Sequence, residues 1–73
     1  MDHEALTQLV AETFGIAPDR VRDELAYESI PEWDSLNHVN LMLALEQRTG
    51  RSIDEDTMVE LTTVAAIREF VAR

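Results

Sequence analysis

Apolar residues recur at helical spacing along this chain, and no segment alternates apolar and polar residues as a half-buried strand does. Near the N-terminus, Leu9, Val10 and Phe14 follow Leu6 by three, four and eight positions. Residues at this spacing share one face of a helix. Gly15 stands where a left-handed residue would end that helix. The pattern predicts a first helix over residues 2–14 and favours an all-α fold.

A long connection, residues 15–33, follows the first helix. Pro18 and Pro31 resist helix continuation, and a helical turn is predicted over residues 19–25. Loops of this length need either a function or anchoring to the core. Isolated apolar residues are expected to supply the anchors: Ile16, Val21, Leu25 and Ile30.

The second predicted helix, residues 35–48, carries two sets of apolar residues, and Asp34 is placed to cap it. Leu36, Val39 and Leu43 form one stripe. Leu41 and Leu45 lie almost opposite this stripe, and Met42 lies to one side of both sets. Two interpretations remain open: a helix buried on several sides, or a helix with one stripe exposed for docking. Polar residues interleaved with the apolar ones argue against burial all round: Asn37, His38, Asn40 and Gln47.

Two further helices are predicted after Gly50. Three acids that suit a helix N-terminus open a helix of about two turns: Asp54, Glu55 and Asp56. Their spacing does not fit a calcium-binding loop. Thr62 or Thr63 caps a last helix whose apolar residues again keep helical spacing: Val64, Ile67, Phe70 and Val71. Residues 1–73 are therefore expected to form one all-α domain, a small four-helix bundle of three main helices and one short third helix, with a long loop between helices one and two.

The composition excludes several function classes. Fifteen acids against six bases, all of them arginine, give a net charge of −9, which disfavours nucleic acid and anionic membranes as partners and favours basic protein surfaces. The chain has no cysteine for thiol chemistry or metal–thiolate sites, no lysine and only two glycines. These absences argue against a self-contained enzyme.

The chain has no long apolar run, and its N-terminus does not resemble a signal peptide. We expect a cytoplasmic, monomeric protein that is freestanding, with excision from a larger protein as the alternative.

The segment Asp34-Ser35-Leu36 alone is a common helix start. His38 lies one turn beyond Ser35, but no carboxylate is evident to orient it, which argues against a serine hydrolase. The longer run over residues 33–46, WDSLNHVNLMLALE, resembles the phosphopantetheine attachment segment of acyl carrier proteins. Ile16-Ala17-Pro18-Asp19, Leu61-Thr62-Thr63-Val64, the length and the acidity also resemble that family in order and spacing.

The resemblance implies a cofactor and a function. Ser35 would be esterified by a phosphopantetheinyl transferase with the 4′-phosphopantetheine arm of coenzyme A, and Asp34 and Leu36 would belong to the attachment motif. An acyl or aminoacyl group would then be carried as a thioester on the arm. A loading enzyme and downstream biosynthetic enzymes would supply the chemistry, so the chain itself is expected to be a non-catalytic carrier.

The same resemblance implies a partner surface on the second helix, with these expected contacts: Leu36, Val39, Asn40, Leu43 and Glu46. Asn37 and Asn40 stand where fatty-acid carriers usually have acids, and Glu32 stands where they have glycine. These departures favour a dedicated polyketide, nonribosomal peptide or related pathway over housekeeping fatty-acid synthesis. Trp33 is expected to pack the loop against the second helix. The alternative function is an unmodified helical interaction module with the same fold.

Overall fold

The computed structural model describes residues 1–73 and contains four α-helices. In chain order they are α1 (His3–Phe14), α2 (Ser35–Thr49), α3 (Glu55–Glu60) and α4 (Val64–Ala72). No strand is present, so the predicted all-α bundle with a short third helix is confirmed. None of the four helices combines the length and the apolar character that crossing a membrane requires.

Side-chain caps define where the helices begin. At each start a side-chain oxygen accepts a hydrogen bond of 2.7–3.0 Å from the backbone N–H three residues on, and the capping residues are Asp2, Asp34, Asp54 and Thr63. A cap of this kind stabilises a helix by about 1 kcal/mol. Each helix start thus follows from a short polar residue in the sequence.

Capping also lowers the pKa of one capping residue, Asp54. The backbone N–H of Thr57, and after it the Thr57 hydroxyl, bonds to the ionised carboxylate and holds the pKa of Asp54 below its usual value. The acids that open α3 therefore act at a helix N-terminus, as the sequence predicts.

Glycine ends the two longest helices. Gly15 and Gly50 both have φ of +71°, a left-handed conformation that glycine adopts without steric cost. The N–H of Gly50 bonds to the carbonyl of Glu46 at 2.9 Å. Helix α2 consequently extends to Thr49, one residue further than the apolar pattern predicts.

The core lies among α1, α2 and α4, and 14 apolar residues form one buried cluster. Helix α2 contributes Leu41, Met42 and Leu45 to it. Its other apolar set faces outward: Leu36, Val39 and Leu43 are 71%, 42% and 53% exposed. The second interpretation of this helix, one buried side and one exposed stripe, is the arrangement observed.

The connection between α1 and α2 is anchored as predicted, but the helical turn predicted near residues 19–25 is shorter and begins one residue earlier. Val21 is buried in the core, and Ile16, Leu25 and Ile30 pack against it. Only Pro18–Arg20 forms a short 3-10 turn.

Beyond this turn, the loop backbone pairs with a distant segment of the chain. The carbonyl of Leu25 accepts from the N–H of Val64 at 3.0 Å, and the N–H of Tyr27 donates to the carbonyl of Thr62 at 2.8 Å. Ala26 and Thr63 form an isolated antiparallel bridge. Because these groups bond to the segment that leads into α4, they are not free to close helical turns within the loop.

Candidate functional site

Ser35 is the first residue of α2, and its side chain is exposed. Asp34 fixes the start of the helix by accepting from the N–H of Asn37 at 2.9 Å. The backbone N–H groups of Ser35 and Leu36 have no acceptor within the chain. A helix N-terminus with free N–H groups favours a negatively charged group. The structure therefore places an accessible hydroxyl where a phosphate ester would be stabilised.

Tyr27 reaches Ser35 from the long loop. Its phenolic oxygen lies 2.8 Å from Ser35 Oγ, and either oxygen is able to donate the hydrogen bond. The Tyr27 ring lies beside the ring of His38, with centroids 5.2 Å apart. Tyr27 lies outside every periodic pattern of the sequence and was not predicted as a site residue. One feature could have indicated Tyr27: it is the only tyrosine in the chain, and it lies in the loop that leads to the candidate helix start.

A buried hydrogen-bonded pair lies behind the site. Trp33 is fully buried, and its Nε1 donates to His38 Nδ1 at 3.0 Å. His38 Nε2 lies 3.0 Å from the carbonyl oxygen of Met58. Since an indole N–H only donates and a carbonyl only accepts, we assign His38 as the neutral tautomer protonated on Nε2. Trp33 thus packs the loop against α2, as expected from the sequence.

The burial of His38 differs from what the sequence predicts. It was counted among the polar residues that argue against burial, yet it is only 8% exposed. Both ring nitrogens have partners, so the imidazole is buried without an unsatisfied polar group. With both nitrogens engaged, His38 is not placed to take a proton from Ser35.

Comparison with known proteins identifies the family of the chain. A family model described as "Phosphopantetheine attachment site" matches residues 4–71. The chain belongs to this family. A curated relative, an acyl carrier protein of Thermosynechococcus vestitus, is 29% identical over 68 residues, which cover 93% of this chain and 84% of the relative.

Family membership confirms the resemblance and the cofactor inferred from the sequence. The chain is a non-catalytic carrier with covalently attached 4′-phosphopantetheine. Carriers of this family work with phosphopantetheinyl transferases and with biosynthetic enzymes. The residues at the start of α2 fit the group, because Ser35 offers an exposed hydroxyl beside the free N–H of Leu36.

Apart from Arg48, the exposed side chains of α2 beyond Ser35 in this carrier are apolar or uncharged. Leu36, Val39 and Leu43 form an exposed strip, which we call the α2 strip. Asn40 is exposed on the same helix, and its Nδ2 donates to Asn37 Oδ1 at 3.3 Å. The two asparagine side chains are therefore hydrogen-bonded to each other, whereas two carboxylates at these positions would repel each other.

Glu46 has an internal contact that the sequence did not predict. It is half-buried, and its Oε2 accepts from the backbone N–H of Ile53 at 2.6 Å. This bond joins the end of α2 to the segment before α3. Contact of Glu46 with a partner remains a prediction, whereas its stabilising role in the turn is observed.

The one cavity of the carrier lies away from the buried face of α2. Its volume is about 190 Å³, and seven residues from the start of α1 and the end of α4 line it. Leu41, Met42 and Leu45, on the buried side of α2, are closely packed in the core.

Proposed function

We propose that Ser35 is the attachment residue of this carrier and that the attached arm presents an acyl or aminoacyl intermediate to biosynthetic enzymes. The observation that supports this most is the exposed Ser35 hydroxyl at the first residue of α2, within the residues matched by the family model. Attachment forms a bond between Ser35 Oγ and the phosphorus of the pantetheine phosphate in coenzyme A. The pyrophosphate bond breaks, adenosine 3′,5′-bisphosphate leaves, and a base of the transferase takes the hydroxyl proton.

The chain supplies position and electrostatics for that step. Asp34 holds the first turn of α2 through Asn37, so Ser35 stands on a rigid helix rather than on a mobile loop. The free N–H groups of Ser35 and Leu36 favour the negative charge of the phosphodiester. Since the chain has no cysteine, the thiol that carries the acyl group is that of the arm.

The experiment measures intact mass after incubation with coenzyme A and a broad-specificity phosphopantetheinyl transferase. We expect a gain of one phosphopantetheine group. Glutamyl endopeptidase then releases residues 33–46, in which Ser35 is the only residue with an aliphatic hydroxyl, and the added mass should stay with this peptide. No gain on a folded, unmodified sample, or a gain elsewhere, contradicts the proposal.

A dedicated pathway, such as polyketide, nonribosomal peptide or related assembly, is the finer part of the proposal. Its support is the exposed side of α2, where Asn37 and Asn40 bond to each other and the carboxylate of Glu46 is engaged with Ile53. A partner that relies on several carboxylates of the second helix finds only Glu46, which is half-buried and has one oxygen bonded to Ile53. Docking on α2 then depends on apolar contact with the α2 strip.

Replacement of one residue in the α2 strip tests this docking mode. We expect Leu36→Ala to raise the KM of the transferase about fivefold to tenfold, because truncating a central apolar contact costs about 1 kcal/mol or more. Val59→Ala on α3 is the matched control, since Leu36 and Val59 are both 71% exposed. Steady-state kinetics on the two apo variants gives the comparison. Equal KM values for the two variants would contradict docking on the α2 strip.

The α2 strip also supports binding of a partner helix, as in the interaction module that the sequence offers as an alternative. Three exposed apolar residues on one helix face are a surface that a partner helix is able to cover. In that case binding is independent of the Ser35 hydroxyl, so the two functions differ in their dependence on Ser35.

A further inference from the structure

Tyr27 is the residue outside α2 that hydrogen-bonds to Ser35, with 2.8 Å between the two oxygens. We propose that Tyr27 is a positioning residue for phosphopantetheine attachment. It orients the Ser35 hydroxyl for transfer, and afterwards it donates a hydrogen bond to the phosphodiester of the attached arm. The inference rests on the proposed function, because it requires that the arm is attached to Ser35.

The phenol is held in place by contacts that do not involve Ser35. The N–H of Tyr27 donates to the carbonyl of Thr62 at 2.8 Å, and the neighbouring Ala26 pairs with Thr63. On its other side the ring lies 5.2 Å from the His38 ring, centroid to centroid. Tyr27 is thus fixed by the segment before α4 and by the buried imidazole. A fixed partner selects one orientation of a serine hydroxyl that is otherwise free to rotate.

His38 is itself immobilised, which extends the support of the phenol into the core. Its two nitrogens bond to Trp33 and to the carbonyl of Met58, both at 3.0 Å. The ring against which Tyr27 rests therefore cannot turn without breaking a buried hydrogen bond.

Esterification of Ser35 determines which of the two residues donates the hydrogen bond after attachment. In the free protein either hydroxyl is able to donate. Once Ser35 Oγ is esterified it has no proton, so the phenol is the only donor of the pair. The new acceptors are the ester oxygen and the charged phosphate oxygens, and a hydrogen bond to a charged oxygen is stronger than one between two neutral hydroxyls. Attachment therefore strengthens the contact of Tyr27 rather than removing it.

Tyr27→Phe is the test, because it removes the hydroxyl and keeps the ring beside His38. We expect kcat/KM for modification to fall about threefold to tenfold, the effect of one hydrogen bond. The loss should lie mainly in kcat, since orientation acts on transfer rather than on docking. In the modified protein, the phosphorus-31 resonance of the phosphodiester should differ in chemical shift between wild type and Tyr27→Phe.

Thr13→Val is the matched control. It also removes one hydroxyl, whose only hydrogen bond is to the carbonyl of Leu9 within α1. Neither the modification rate nor the phosphorus resonance should change in this variant. A change of equal size in the control would show that the readouts respond to stability and would overturn the inference.

The outcomes separate this inference from the proposed function. If the wild type accepts no phosphopantetheine, the proposed function fails. If the wild type is modified but its phosphorus resonance is the same as that of Tyr27→Phe, only the role of Tyr27 fails. The wild type gives a second readout that needs no variant, because Tyr27 is the only tyrosine. Its ring resonances should shift on attachment, and unchanged resonances would overturn the inference even if the variant did not fold.

Discussion

Ser35→Ala is expected to abolish attachment of phosphopantetheine and leave the fold intact. The substitution removes the only oxygen at the first position of α2 that is able to attack phosphorus, so the intact mass should stay unchanged after incubation with coenzyme A and the transferase. Stability should change little, because Ser35 is exposed and its hydroxyl bonds only to Tyr27. An exposed substitution of this kind changes the free energy of unfolding by about 0.5 kcal/mol or less.

Ser52→Ala is the control for this result. Ser52 is also exposed, and its hydroxyl makes no hydrogen bond in the chain, so the variant should gain the same mass as the wild type. Modification of Ser35→Ala would contradict attachment at Ser35. If Ser35→Ala retained full biological activity while remaining unmodified, the activity would depend on binding through the α2 strip rather than on an arm attached to Ser35.

The elements predicted correctly are those whose signals are local. Helix α1 follows from four apolar residues at helical spacing between the cap Asp2 and the terminator Gly15. Helix α2 follows in the same way from Asp34 and Gly50. Caps and apolar spacing act within a few residues along the chain, so their physics can be inferred from sequence order alone.

The features that were missed depend on contacts between distant residues. Tyr27 is oriented by Thr62, which lies 35 positions further along the chain. His38 is buried because Met58 offers a carbonyl to its Nε2 from α3. Neither partner is indicated by periodicity, so a polar residue within an apolar helix was expected to be exposed.

The candidate site also contains residues that local sequence predicts and residues that only distant contacts place. Asp34, Ser35 and Leu36 could be predicted as site residues because they form a contiguous segment at a helix start. The partner of Ser35 could not, because a loop residue approaches it through the pairing of Ala26 with Thr63. The internal hydrogen bond of Glu46 to Ile53 was missed because it crosses the glycine turn.

Trp33→Ala is expected to destabilise the domain enough to unfold a large share of the molecules. Trp33 is fully buried, with its ring centroid 5.1 Å from that of Phe14, and truncating a buried tryptophan costs about 3–5 kcal/mol. A chain of this length has a total stability of about 4–11 kcal/mol. The substitution also leaves His38 Nδ1 without its donor, and an unsatisfied buried acceptor adds about 1–3 kcal/mol.

The measurement is urea unfolding followed by circular dichroism, because Trp33 is the only tryptophan and its fluorescence is lost in the variant. Trp33→Phe separates the two contributions: it keeps an aromatic ring beside Phe14 but removes the indole N–H, so its loss of stability should be smaller than that of Trp33→Ala. Leu36→Ala, at an exposed position, should unfold close to the wild type. A Trp33→Ala variant that loses less than about 1 kcal/mol would contradict this prediction. It would show that the loop is held by its backbone pairing with the segment before α4 rather than by this side chain.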